Sequence, residues 1–170
     1  MQETAAQYTE RLLSYSKNED GIALQESTPK KIAALIEGRG SDALTKRPAP
    51  DKWSVAEIVA HLADAELAVS WRLRQVLSKN AIPLQAYDQD AWAATFDYAR
   101  RDPKRSLATF QVLRENNLAL LKAAPPELWN NYGVHEERGN ESVAHMVRMI
   151  AGHDINHLRQ IEQILQRSRS

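Results

Sequence analysis

Cysteine is absent from the 170 residues. Its absence excludes disulfides, thiolate metal ligands and a cysteine nucleophile, and it fits a cytoplasmic chain. An excess of either charge is missing too. Lys plus Arg and Asp plus Glu are both 22, so the formal net charge is zero. Proteins that hold nucleic acid through its phosphates usually show a basic excess, so nucleic acid is not an expected partner. No apolar stretch approaches the roughly 20 residues that cross a bilayer. Met1 to Leu12 carries Gln, Glu, Thr and Arg where a secretory signal needs an apolar run. A membrane is therefore not expected as a partner either, which leaves small molecules.

Glycine and proline are few, and most stand at the ends of periodic segments. Continuous β-rich runs are lacking, so the chain reads as all-α. Its length suits one domain, residues 1–170. A first helical segment covers about Thr4 to Ser16, with Tyr8, Leu12 and Tyr15 at helical spacing. Asp20-Gly21 ends or interrupts it, and Ile22 to Gln25 is a short apolar turn. Thr28-Pro29 predicts a helix start, with Thr28 as cap and Pro29 at the first position. Ile32, Leu35 and Ile36 give that helix its apolar face. Residues 39–52 read as a polar connection.

Trp53-Ser54-Val55-Ala56-Glu57-Ile58 predicts a strong helix start. Ser54 and Glu57 have the capping-box spacing, and Trp53 and Ile58 the staple spacing. Glu57 is thus read as a backbone cap rather than a catalytic carboxylate. This helix runs to about Ser78. Asn80 to Tyr87 reads as a loop, and Asp88 to Tyr98 as a short helix with Trp92 and Phe96 inward. Asp102-Pro103 starts a further helix that Pro125-Pro126 ends. Glu127 to Glu137 reads as irregular, and the last helix as about Glu141 to Arg167, with a frayed polar tail at Gln166 to Ser170. Four amphipathic segments with modest loops predict a four-helix bundle with short additional helices.

The last helix carries the unusual feature. Its apolar stripe is Val143, Met146, Val147 and Ile150, then Leu158, Ile161, Ile164 and Leu165. Between these, the positions that would continue the stripe are His153, Asp154 and His157. Buried carboxylates and imidazoles are costly unless paired or bound to metal. Two readings are open: a satisfied histidine network in the core, or a metal site. His153 and His157 lie one turn apart on one face, as two ligands would. This is not the H-E-x-x-H of zinc proteases, because Asp154 stands where the glutamate would. His61, on the flank of the stripe of a facing helix, is the best third ligand. His135, in a loop, could close over the site, and His145 falls off the core face. Glu66, near the middle of its helix's stripe, Asp64 and Asp154 are candidate acceptors for imidazole N–H groups. Glu66 could equally pair with an arginine such as Arg148 or Arg159.

These residues resemble a known family. Trp53-Ser54 with Glu57-Ile58, His61-Leu62, Asp64 and Glu66, followed by Gly152-His153-Asp154 with His157-Leu158 and Gln160-Ile161, are similar to the DinB-like superfamily. The resemblance spans roughly residues 28 to 166. It implies a four-helix bundle of up-down-down-up order. It also implies a divalent metal, usually nickel or zinc, held by His61, His153 and His157. Family members include thiol S-transferases, which use a low-molecular-weight thiol, and proteins named as metal-dependent hydrolases. The resemblance also implies pairing into a homodimer through bundle faces. The expectation is a metal-dependent enzyme acting on a small molecule, with Glu66, Asp154 and His135 as accessory groups. The rival is a non-catalytic bundle that binds a ligand or a partner in a stress response.

Overall fold

The structure is a computed structural model and describes residues 3–167. Helix α1 covers Ala5–Tyr15, α2 Gly21–Ile36, α3 Ser41–Thr45 and α4 Val55–Ser78. Strand β1 (Ile82–Leu84) and helix α5 (Gln89–Thr95) follow, then α6 at Pro103–Ala123. Strands β2 (Tyr132–His135) and β3 (Gly139–Ser142) lead into α7, Val143–Arg167. The tail expected to fray from Gln166 is helical up to Arg167, and its last three residues lie outside the described ones.

Helices α2, α4, α6 and α7 form a four-helix bundle. Its core is split into two apolar clusters. One joins Ile36, Val55, Ile58, Leu107, Ile161 and Ile164. These come from the end of α2, the starts of α4 and α6, and the end of α7. The other joins Leu73, Val76, Leu121, Val143 and Met146, with Ile22 packed against it. These come from the opposite ends. So α2 and α7 run one way and α4 and α6 the other, in up-down-down-up order. The parallel neighbours α4 and α6 need a crossover, and residues 79–102 supply it. Between the two clusters lies a buried polar layer that includes Gln25, Thr28, His61, Glu66, Arg114 and Asp154.

Helix α2 starts earlier than the sequence predicts. Asp20 caps it by accepting from the N–H groups of Ile22 and Ala23. The helix then continues through Thr28 and Pro29, which are buried inside it. Pro29 has no N–H to give the Gln25 carbonyl. Arg114 Nη1 donates to that carbonyl instead, at 3.1 Å. A partner from another helix thus removes the cost that made Pro29 look like a helix start.

Three further expectations are corrected. Ser41–Thr45 is a short helix inside the supposed polar connection, and it buries Leu44. The segments read as loop and irregular hold a small sheet in the order β1-β2-β3. Its β1–β2 pair is parallel and its β2–β3 pair antiparallel. Strands of three or four residues are too short for alternation to declare them, and β3 takes the first two residues assigned to the last helix. Finally, α5 buries no residue: Phe96 is half exposed, and Trp92 is partly buried by packing on the Tyr87 ring, centroids 4.4 Å apart.

Helix α1 lies along α7. A β-carbon on Gly152 would sit 2.0 Å from the Leu12 carbonyl oxygen, so only glycine allows this approach. The crossing places Tyr8 and Arg11 beside the histidine-bearing turns of α7, where Arg11 Nη1 donates to Asn156 Oδ1 at 2.8 Å.

Candidate metal centre

The start of α4 positions His61. Ser54 Oγ accepts from the Glu57 N–H, and Glu57 Oε2 accepts from the Ser54 N–H at 2.8 Å. The box expected from the sequence is therefore formed. Arg47 pairs with the same carboxylate. Burial pushes Glu57 up, but Arg47 and Ser54 outweigh it and hold the carboxyl below its ordinary value. Glu57 is thus spent on the backbone and on Arg47. Trp53 packs against the first apolar cluster, and its ring centroid is 5.0 Å from that of His61.

The structure brings His61, His153 and His157 together. Their candidate ligand nitrogens all lie within 4.8 Å of one another. His153 Nε2 is 3.1 Å from His61 Nε2 and 3.1 Å from His157 Nε2. His157 Nδ1 faces the Gln160 amide oxygen at 2.8 Å. That oxygen only accepts, so the proton sits on Nδ1 and the lone pair of Nε2 is left free. His153 Nε2 meets two nitrogens yet carries one proton at most, which serves only one of them in a linear hydrogen bond. A cation at the meeting point would satisfy all three lone pairs at once. Three imidazoles with a fourth position open are the catalytic form of a divalent site rather than the closed structural form.

All three rings are held neutral. Burial, reinforced by His157, pushes His61 well below the ordinary value, and burial with both neighbouring imidazoles does so for His153. Burial lowers His157 to about 4, with Gln160 partly opposing it. Neutral rings keep their lone pairs for a metal at neutral pH. The metal-free protein is expected to pay for this in acid. Above pH 6.5 the three are neutral in both folded and unfolded chains. As pH falls from 6.5 toward 4 the unfolded chain takes up protons that the folded one refuses, and stability drops. For His157 alone, 6.5 against about 4 corresponds to about 3 kcal/mol. Urea unfolding of the chelated protein at pH 7.5 and pH 5 checks this, with about 2 kcal/mol of the His157 loss expected by pH 5.

Behind the histidines, Arg114 is fully buried. It donates from Nε and Nη2 to Glu66 at 3.0 and 2.9 Å, and from Nη1 and Nη2 to Asp154 at 2.5 and 3.0 Å. Asn117 Nδ2 adds a bond to Glu66 at 2.8 Å, and the Phe110 ring covers the guanidinium. Burial raises Asp154 above its ordinary value, and Arg114 offsets this only in part. Two carboxylates face one guanidinium, a buried excess of one negative charge that a cation in the same layer would offset.

Glu66 and Asp154 are therefore turned to Arg114 of α6, which is the pairing arginine in place of Arg148 or Arg159. Asp64 accepts from the Tyr98 hydroxyl and from Arg101, each at 2.8 Å. His135 ends β2, is buried, and accepts the Glu137 N–H on Nδ1 at 3.2 Å. His145 is half-buried in the first turn of α7 and outside the cluster. The sequence offers Gln160 only as part of the family motif, without a role, and does not single out Arg114. Gln160 could have been found three residues after His157, and Arg114 by its place between Phe110 and Leu118 on one face of α6.

Two cavities reach the centre. One of 690 Å³ touches His61, His153 and His135, and the other of 590 Å³ touches His157, Trp53 and Gln160. Residues 25–161 match the DinB superfamily, and this span contains all three histidines. The chain belongs to that superfamily. The chain is also similar to a protein of Oceanobacillus iheyensis, 25% identical over 137 residues, covering 81% of this chain and 79% of the relative. Another is to YfiT of Bacillus subtilis, 28% identical over 110 residues, covering 65% and 62%. Both carry the name "Putative metal-dependent hydrolase". The solved structure of YfiT superposes with a TM-score of 0.82 at 23% identity, over 87% of this chain and 85% of that one. The fold described there as an "unusual four-helix bundle topology" is thus shared. Among the described residues no helix is long and apolar enough to cross a membrane.

Proposed function

We propose that the protein is a metal-dependent hydrolase of small molecules, with nickel or zinc held by His61, His153 and His157. The observation that carries this reading is the convergence of three neutral imidazole nitrogens, those of His61 and His157 on buried rings, at a place that two cavities reach. When bound, such an ion makes a water molecule a nucleophile near neutral pH and polarises a carbonyl. The chain's own residues do the rest. Gln160 fixes the ring and tautomer of His157, as an outer partner of a ligating histidine does. Arg114 ties α4 and α7 together through Glu66 and Asp154 and reaches α2 at the Gln25 carbonyl, so the two histidine-bearing helices keep their spacing. His135 accepts a backbone N–H on Nδ1, so its neutral ring carries its proton on Nε2, a donor for a molecule bound in the larger cavity.

The test is turnover by the nickel- or zinc-loaded protein on a panel of small esters and amides, with chelated protein as control. Hydrolysis that appears with metal and disappears with chelator is the expected result. The chain has no cysteine, so thiol transfer would draw its thiol from solution as a second small molecule. Turnover seen only with an added low-molecular-weight thiol and an electrophile would replace hydrolysis. No turnover in either format would leave a ligand-binding bundle.

A further inference from the structure

We infer that the larger cavity takes a small-molecule carboxylate, anchored on Arg72 at the end remote from the three histidines. This rests on the proposed function only for the identity of the reacting end. Arg72 follows His61 by eleven residues on α4. Eleven residues are three turns plus about 20°, so the two share a face about 16 Å apart along the axis. Both line the same 690 Å³ cavity. Side chains on a helix tilt toward its N-terminus, which here is toward His61.

Three arginines line this cavity, and two are spent. Arg114 binds Glu66 and Asp154, and Arg138 grips Glu141 through Nε and Nη2 at 2.5 and 3.1 Å. Arg72 has no carboxylate partner among the described residues. Its Nη2 donates to the Gln85 carbonyl at 2.6 Å, and its guanidinium carbon lies 5.7 Å from the Tyr87 ring centroid. A half-buried guanidinium with most of its donors uncommitted is free to take an acceptor that enters the cavity.

More donors stand around it. The hydroxyls of Tyr8 and Tyr87, both lining the cavity, meet no acceptor among the described residues, and the His135 Nε2 proton is likewise unclaimed. The acidic residues of the wall are otherwise engaged or outside. Glu141 holds Arg138, Glu3 holds Arg11, Asp88 caps α5, and Glu137 is exposed at the rim. The end of the wall around Arg72 thus carries one unmatched positive charge in a planar fork, while the excess negative charge of Glu66 and Asp154 lies at the histidine end. A carboxylate, with one charge and two coplanar oxygens, matches it. A phosphate dianion at Arg72 would bring a second charge that nothing at that end of the cavity balances. The substrate class is an elongated carboxylic acid with its hydrolysable carbonyl at the opposite end.

The experiment is calorimetric titration of the metal-loaded protein with N-benzoylglycine and its diglycine and triglycine homologues. Each is compared with its primary amide, and inorganic phosphate is run beside them. One length of the series should bind about 10-fold or more tighter as acid than as amide, the worth of a charge-assisted contact. Arg72→Gln should erase that preference, Arg72→Lys should restore part of it, and melting temperature and metal content should stay as in the parent. An acid no tighter than its amide at every length overturns the inference. So does a preference that survives Arg72→Gln, or tighter binding of phosphate. Metal content is read on the same samples. Bound metal without carboxylate preference defeats this inference alone, and carboxylate preference without metal defeats the metal reading alone.

Discussion

Arg114→Met is expected to cost the fold about 3–5 kcal/mol, the range for breaking a buried ion pair on one side. Among the described residues Arg114 is the sole cation bonded to Glu66 and Asp154, and all three are at most 2% exposed. Its removal strands two carboxylates between the apolar clusters and also frees the Gln25 carbonyl that Pro29 cannot serve. Methionine fills most of the volume, so the loss is electrostatic rather than a cavity. Adding Glu66→Gln and Asp154→Asn to Arg114→Met removes the stranded charge and is expected to recover most of the stability. Urea unfolding of the chelated proteins at pH 7.5 gives both numbers. An Arg114→Met protein within about 1 kcal/mol of the parent would mean that the layer tolerates two unpaired carboxylates, against the cost of buried charge.

His153→Ala is expected to abolish metal-linked stabilisation. His153 is the ring whose Nε2 lies 3.1 Å from both others, so its loss leaves one nitrogen on each of two helices. A ligand that binds only the folded chain stabilises it by about 4 kcal/mol at 1,000 times its dissociation constant. The parent should therefore melt higher with excess nickel or zinc, and His153→Ala should not move. Gln160→Ala keeps all three ligands and loses only the bond that fixes His157, so its affinity should fall about 10–100-fold. The grading separates a metal site from a histidine network. In a mere network the parent's melting temperature would not respond to metal, and Gln160→Ala would weaken nothing.

Local signals in the sequence were read correctly where the chain satisfies itself nearby. Ser54 and Glu57 cap each other as their spacing implies, and Asp102 before Pro103 starts α6 as expected. The bundle itself follows from four amphipathic stretches. Misreadings arise where a distant partner decides. Pro29 looked like a helix start because nothing local shows that Arg114 will serve the Gln25 carbonyl. Trp92 and Phe96 look inward by spacing, yet α5 buries no residue and its aromatic rings pack on one another, Trp92 tilted on Tyr87 and edge-to-face with Phe96. The strands were too short to announce themselves. At the site, the interruption of the α7 stripe was plain, and so was the pairing of His153 with His157 on one face. That His61 meets them, and that Glu66 and Asp154 turn to Arg114, depends on which faces of α4, α6 and α7 meet, and no single helix states that.

Elemental analysis of untagged protein, dialysed against equimolar nickel and zinc and then against buffer alone, tests the metal centre most directly. About one equivalent of divalent metal per chain is expected, falling to near zero in each of the single variants His61→Ala, His153→Ala and His157→Ala. Parent protein that emerges without metal, or metal retained at full stoichiometry by any of the three variants, would contradict the assignment of His61, His153 and His157 as its ligands.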